Sequence, residues 1–558
     1  MQGQWKGIVS KTEKALSEID SRTKTLQVLV ADEISPEGIE VLEQALSVSY
    51  SPAISADELV KAIGDYDALL VRSRTKVTAD VIKNGKKLRV IGRAGVGVDN
   101  IDLHAATEAG ILVINSPEGN TASAAEHTIA IMFSLARMVP TADQSMKNGK
   151  WDRNKFTGTE LFNKTLGVIG LGKVGGRVAH TAQALGMKVI VYDPLISAER
   201  ATSLNLSSVA LEEIWRRADF ITVHTPKTRE TTNLISSAVL SRVKPGVRII
   251  NTSRGGIIDE QALARAIKEG KVAGAALDVF ENEPLGAQSP LLELGEKVVL
   301  TPHLGASTVE AQYNVAIDLA EQMRDYLTTG LARSPVNLPF MRPEVLKTLG
   351  KYVWLAEAMG AMAGELAEGT VKEIEIIAYG SLAGKDTAPL AVAALKGMLS
   401  RRMESVTYVN AHLIARNNGI QVRESKSEES NQFRDELSIM VSSESGVSSL
   451  SGTVLPHDEP IITRINNHPI NLTPSKYMLF TAHSDQPGMV AKVAGVLGKH
   501  DVNISTMGVG RKGVREDAVM VMTLDDPIAP ELVSELSNLD GIFMARFVSL
   551  IPPSQTFR

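Results

Sequence analysis

The 558-residue chain contains no cysteine, which excludes disulfides, thiolate metal ligands and a cysteine nucleophile. It has no run of eighteen or more apolar residues, so no transmembrane helix is expected. No block of Lys and Arg stands out and the formal net charge is -5, which argues against a nucleic-acid surface. A G-x-S-x-G elbow, a Walker loop and an H-E-x-x-H motif are all missing, and with them the commonest hydrolase, phosphoryl-transfer and metalloprotease readings. His104, His127 and His224 have no second ligand at metal-binding spacing; they read as packing or hydrogen-bonding residues, and no metal is expected. Chemistry is left to His, Arg and carboxylates, and the expected partners are small molecules.

What is present fits a soluble multi-domain protein: 44% hydrophobic and 22% charged residues, and a length that implies roughly three or four domains. Residues 1–24 have no hydrophobic centre and carry Glu13, Glu18 and Asp20, so they read as an exposed extension and point to a cytoplasmic location. From "TLQVLVADEIS" onward, short apolar runs alternate with helical patterns, the rhythm of a parallel α/β fold. A second such series begins at Thr165 with "TLGVIGLG", "MKVIVYD", "FITVHTP", "VRIINTS", "VAGAALDVF" and "KVVLTPH". The stretches 121–149 and 308–330 have apolar residues at three- and four-residue spacing and are expected as helices joining two lobes. "RSPVNLPFMRPE" ends the pattern and marks a domain boundary near residue 333.

Gly170, Gly172 and Gly175 form G-x-G-x-x-G directly after a strand and before a helix, where backbone amides and a helix N-terminus meet a pyrophosphate. Asp193 ends the next strand, where a carboxylate accepts both ribose hydroxyls and repels a 2′-phosphate, so NAD is favoured over NADP. Arg254 in "NTSRGGIIDE", Glu283 in "DVFENEP" and His303 in "TPHLGAST" each follow a strand of the same series. Oxidation of a hydroxy acid needs a base for the hydroxyl proton and a cation for the carboxylate, which a His beside a Glu and an Arg supplies. Read singly, each also has a structural role: a capping ion pair, a solvated loop acid, a turn residue.

Together these segments resemble the D-isomer-specific 2-hydroxyacid dehydrogenases, over residues 25–333. The resemblance implies two Rossmann-like lobes: a substrate-binding domain (25–123 with 304–333) and an NAD-binding domain (124–303). It assigns substrate binding to Arg254, base assistance to Glu283 and acid/base catalysis to His303, and adds Leu171, Lys173, Val174, Pro226, Thr252, Ser253 and Asp278 to the cofactor contacts. In the N-terminal lobe Arg72, Ser73 and Arg74 follow a strand, and Gly95, Val96 and Gly97 offer close backbone contact. Two arginines suit a phosphate, and the resemblance implies 3-phospho-D-glycerate as substrate and 3-phosphooxypyruvate as product. Other 2-hydroxy acids, and an NAD-sensing corepressor of the same fold, remain alternative readings of these residues.

The C-terminal segment alternates as βαββαβ, a ferredoxin-like layer. "HSDQPG" followed by a helix and "VNIS" is similar to the ACT domain, which implies an L-serine site at His483, Asp485 and Asn503 between paired subunits. Pro487 is read as the start of that helix and Gly488 as a point of close approach. Residues 334–470 then resemble an α+β intervening regulatory domain and 471–558 the ACT domain. A homo-oligomer, dimer or tetramer, is expected from the resemblance.

Overall fold

The computed structural model describes residues 26–338, 343–429 and 433–550; the expected extension over residues 1–24 lies outside them. The chain forms two compact units, one made of the residues up to Asn115 together with those from Leu319 onward, the other of Ser116–Asp318.

In the first unit β1 (Gln27–Val30), β2 (Ser47–Tyr50), β3 (Ala68–Val71), β4 (Val90–Arg93) and β5 (Leu112–Asn115) form a parallel sheet in the order β2-β1-β3-β4-β5. In the Ser116–Asp318 unit β6 (Thr165–Ile169), β7 (Lys188–Tyr192), β8 (Ser207–Ser208), β9 (Phe220–Val223), β10 (Val247–Asn251), β11 (Val272–Leu277) and β12 (Val298–Leu300) form a second parallel sheet, ordered β12-β11-β10-β9-β6-β7-β8. Helices cover both faces of such sheets, so inner strands such as β3 and β9 are buried at every position, and β3 reads as an unbroken apolar run.

The stretch 121–149, expected as one helix, is two: Thr121–Arg137 and Val139–Lys147, separated by Met138 at φ 53. Pro140 has no N–H to donate to the carbonyl of Ala136, which accepts from Thr159 N at 2.8 Å instead. The stretch 308–330 is helical from Val309 to Thr329, as the spacing indicates.

Beyond Leu319 the chain adds a mixed sheet of β13 (Val371–Gly380), β14 (Gln421–Ser427), β15 (Asp435–Ser443), β16 (Gly446–Leu455), β17 (Glu459–Ile465) and β18 (His468–Leu472), ordered β14-β13-β15-β16-β17-β18. It is followed by an antiparallel sheet of β19 (Tyr477–Ser484), β20 (Ile504–Arg511), β21 (Asp517–Leu524) and β22 (Ile542–Ser549), ordered β20-β21-β19-β22. With the helices Met489–Lys499 and Pro530–Ser537 this is the ferredoxin-like layer.

From Val353 onward helix Pro343–Leu366 is mostly apolar, and Val353, Leu355, Ala356, Met359, Met362 and Ala363 are all fully buried. Such a helix needs cover on every side. It gets that cover from two sheets, since strand residues Met478, Phe480, Val519, Val521 and Val548 of the last sheet belong to the same buried cluster as Ile439 and Leu450 of the mixed sheet. Their neighbours Leu479, Met520 and Met522 face the other way, onto the two helices of the ferredoxin-like layer. The two C-terminal regions thus share one continuous core.

Within that core, helix Pro343–Leu366 meets helix Ala388–Leu399 through glycines: a Cβ at Gly397 would lie 2.0 Å from Glu357 O, and one at Gly360 2.1 Å from Ala394 O. In an open helix Gly→Ala gains about 1 kcal/mol. Here overpacking reverses the sign, and Gly397→Ala should destabilise this region by about 1–3 kcal/mol, seen by calorimetry as an earlier transition; a later one contradicts this packing.

Candidate active site

The glycine loop joins β6 to helix Lys173–Ala184. Gly170 has φ +90, and a Cβ there would stand 2.4 Å from His224 O; a Cβ on Gly175 would stand 2.0 Å from Gly170 O. Only glycine lets strand, loop and helix approach this closely. At Gly172, the N-cap of the helix, a Cβ would meet no protein atom within 4 Å. That open space, at the N-terminus of a twelve-residue helix, fits the pyrophosphate of a dinucleotide. Leu171, Lys173 and Val174 line the same turn. Asp193 stands at the end of β7 and accepts Leu171 N at 2.7 Å and Leu195 N at 2.8 Å. Its carboxylate is therefore fixed beside the loop.

Strand order decides what lies next to what. β6 is flanked by β7 on one side and β9 on the other, so the chain reverses direction across the sheet there, the position where ligands bind at the carboxyl ends of parallel strands. Pro226 follows β9, Thr252, Ser253 and Arg254 follow β10, Asp278 and Glu283 follow β11, and His303 follows β12. The three catalytic candidates thus rise from three adjacent strands. Buried Asn251, which the sequence reading missed, shapes the Arg254 loop: its Oδ1 accepts Ser253 N at 3.0 Å and its Nδ2 donates to Arg254 O at 2.8 Å. Gly255 brings that loop against the next, since a Cβ there would lie 1.7 Å from Phe280 O.

His303 Nδ1 donates to Glu283 Oε2 at 2.8 Å, and Glu283 Oε1 accepts Phe280 N at 3.1 Å. Partial burial raises the Glu283 carboxyl, but the hydrogen bond from His303 and the Phe280 amide outweigh it and hold it below its ordinary value. Glu283 is then a carboxylate, Nδ1 carries the proton, and Nε2 of the half-exposed His303 is the ring atom left to accept one.

Asp278, directly after β11, has a fully buried side chain. Its oxygens accept Thr301 Oγ1 at 2.6 Å, Leu304 N at 2.7 Å and Gly305 N at 2.9 Å, and its backbone carbonyl accepts His303 N at 2.9 Å. Burial raises this carboxyl, and the hydrogen bonds from His127, Thr301 and Leu304 more than reverse that, so it lies below its ordinary value. It holds the turn that carries His303.

In the other unit Arg72, Ser73 and Arg74 follow β3, in a loop organised by buried Asp32, a residue the sequence reading did not single out. Asp32 accepts Arg72 N at 2.6 Å, Thr75 Oγ1 at 2.6 Å and Arg74 Nε at 3.1 Å. Arg74 also donates to Ala31 O and Pro52 O, so much of its fork is already engaged, whereas Arg72 donates to Glu33 O at 3.1 Å. Gly95, Val96 and Gly97 follow β4, and Val96 O accepts Asn115 Nδ2.

At the C-terminal end the structure corrects the start of the helix after "HSDQPG". Gly488 at φ +90 is the N-cap, with open space around it, and the helix begins at Met489 rather than Pro487. His483 is buried with no partner at Nδ1, and burial lowers its proton affinity. Asp485 accepts Arg515 N at 3.0 Å and Arg511 Nη1 at 3.4 Å. Asn503 lies elsewhere: β19 pairs His483 with Ala518 at one end, while Ile504, next to Asn503, pairs with Leu524 at the other, and Asn503 donates to Asp525 Oδ2 at 2.6 Å. A strand of this length separates the two ends by roughly 20 Å, so one chain alone does not assemble all three residues.

The loop geometry separates two roles of its glycines. Gly172→Ala should leave the melting temperature of the ligand-free protein unchanged while raising the KM for NAD, whereas Gly175→Ala should lower both stability and NAD affinity; equal effects on stability contradict the assignment. Asp278 and Glu283 bind protons less readily folded than unfolded, so their stabilisation is present above about pH 4 and is lost as the pH falls further. Urea midpoints should fall between pH 5 and 3, and Asp278→Asn should lower the midpoint at pH 7 and shrink the further loss at pH 3.

Family models match three segments: the NAD binding domain of D-isomer specific 2-hydroxyacid dehydrogenases over residues 129–305, the D-3-phosphoglycerate dehydrogenase intervening domain over 348–466, and the ACT domain over 477–541. The chain is 48% identical to D-3-phosphoglycerate dehydrogenase of Synechocystis sp. over 99% of both chains. It is 42% identical to the Archaeoglobus fulgidus enzyme of that name, covering 94% of this chain and 100% of the relative. Among solved structures, TT0316 protein from Thermus thermophilus superposes with a TM-score of 0.52 at 32% identity, over 56% of this chain and 100% of that one. A glyoxylate reductase from Paecilomyes thermophila does so with a TM-score of 0.52 at 28% identity, over 56% and 98%. No helix among the described residues is long and apolar enough to cross a membrane. The chain belongs to the D-3-phosphoglycerate dehydrogenases, within the D-isomer-specific 2-hydroxyacid dehydrogenase family.

Proposed function

We propose that the chain oxidises 3-phospho-D-glycerate to 3-phosphooxypyruvate with NAD, the entry to L-serine synthesis. The observation that carries this reading is the His303 Nδ1 to Glu283 Oε2 contact at 2.8 Å, set beside the Arg254 loop at the ends of three adjacent strands. NAD supplies the hydride acceptor; Gly170, Gly172, Gly175 and the amides of Leu171, Lys173 and Val174 hold its pyrophosphate, with Asp193 at its ribose and Pro226, Thr252 and Ser253 along the cleft.

The protein's own part is charge placement. Arg254 grips the substrate carboxylate. His303 Nε2 takes the C2 hydroxyl proton, and Glu283 stabilises the imidazolium that forms and fixes the tautomer. Arg72, with Ser73 and Arg74 on the same loop, takes the phosphate; Asp32 pre-orders that loop and claims part of the Arg74 fork, which leaves Arg72 as the stronger phosphate ligand. Gly95, Val96 and Gly97 contribute backbone contacts to the substrate. Residues 25–333 carry the chemistry in this reading, and 334–470 with 471–558 regulate it.

Regulation by L-serine rests on His483 and Asp485 of one chain and Asn503 of a second, because the two sets lie at opposite ends of the ACT sheet. This fits a homo-oligomer in the cytoplasm.

His303→Ala should lower kcat for 3-phospho-D-glycerate oxidation by about 10²–10⁴-fold while the KM values change only a few-fold. Near-normal turnover contradicts the assignment. The same assay with L-serine present should show inhibition in the native chain and none in Asn503→Ala.

A further inference from the structure

Helix Thr121–Arg137 turns three polar side chains toward the loops at the ends of β10 and β12. Ser123 Oγ lies 2.7 Å from Thr308 Oγ1, and Thr128 Oγ1 lies 2.7 Å from Thr252 Oγ1. Between them His127 places Nε2 at 3.1 Å from Asp278 Oδ1 and 3.1 Å from Thr301 Oγ1. Positions 123 and 127, four apart, share one helix face, and 128 stands beside them around the helix. The middle one meets the carboxylate that holds the His303 turn.

We propose that His127 is a positioning residue for His303, acting through the Asp278 carboxylate, so that loss of its ring N–H misplaces the acid/base imidazole without removing cofactor binding. Three observations converge on this. His303 has φ 55, a left-handed conformation that is strained for a residue with a side chain and persists only where its surroundings hold it. What holds it is Asp278, whose carbonyl accepts His303 N and whose carboxylate accepts Leu304 N and Gly305 N. A fully buried carboxylate is costly unless it is paired and hydrogen-bonded. Oδ2 accepts Gly305 N and Oδ1 accepts Thr301 Oγ1 and Leu304 N, and the same Oδ1 faces His127 Nε2 at 3.1 Å, a contact that comes from a different element, the long helix. His127 therefore ties the Asp278 carboxylate, and through it the His303 turn, to the long helix.

The inference rests on His303 being the acid/base group, and the test separates the two. In the full chain, His127→Leu keeps most of the ring's bulk and removes the donor, whereas His127→Gln keeps an N–H at similar reach. The leucine variant should lose at least tenfold in kcat for 3-phospho-D-glycerate oxidation, with NAD affinity within twofold of the native chain. The glutamine variant should keep at least a third of native kcat. Native-like kcat in the leucine variant, or parallel loss of kcat and NAD affinity, overturns the proposal. So does a glutamine variant as impaired as the leucine one. An inactive native chain overturns the reading of His303 instead. The native protein gives a readout independent of the leucine variant's folding: in ¹⁵N-histidine-labelled chain, an imidazole N–H protected from solvent exchange should be present and vanish in His127→Gln, and its absence also overturns the proposal.

Discussion

One buried carboxylate sets the active site. Asp278 follows directly after β11 and draws in donors from the 301–305 turn, from helix Thr121–Arg137 and from the end of β12. A carboxylate with no access to water must find donors, and the donors it finds are the backbone of the turn that carries His303. The left-handed His303 follows from that demand, and so does the direction in which its ring meets Glu283.

Around this point the parallel sheet supplies order. The glycine loop follows β6 and Asp193 follows β7, while Arg254, Glu283 and His303 follow β10, β11 and β12, on the other side of the point where strand order reverses. His303 and Glu283 are part-exposed, while Asn251 and Asp278, which hydrogen-bond the Arg254 and His303 loops, are buried. This division keeps the candidate groups accessible and their supports dry, where hydrogen bonds are strongest.

Much of this was legible in the sequence because it depends on local signals. Apolar runs ending in small or polar residues mark the strands, and the glycine spacing with Asp193 marks the nucleotide loop. The βαββαβ alternation gives the last layer. What escaped depends on contacts far apart in sequence. Asp278 looks like a ligand residue beside a strand end, and only the fold shows turn amides closing over it. His127 has no metal-type neighbour in sequence, and its partners lie about 150 residues away or more. Asp32 and Asn251 are single polar residues at strand ends, indistinguishable by pattern from any cap. The break at Met138 was readable in principle from Pro140, but helical periodicity continues through it.

The C-terminal half shows the same limit at larger scale. Its elements were readable one by one, yet helix Pro343–Leu366 sits between two sheets and welds intervening and ACT segments into one core. A ligand that strains the ACT sheet therefore acts on that shared helix rather than on an isolated module. The most direct test of the account's central claim is the ratio of kcat/KM for NAD reduction with 3-phospho-D-glycerate to that with unphosphorylated D-glycerate and D-lactate. The account predicts a large preference for the phosphorylated substrate, and equal or reversed values would contradict it.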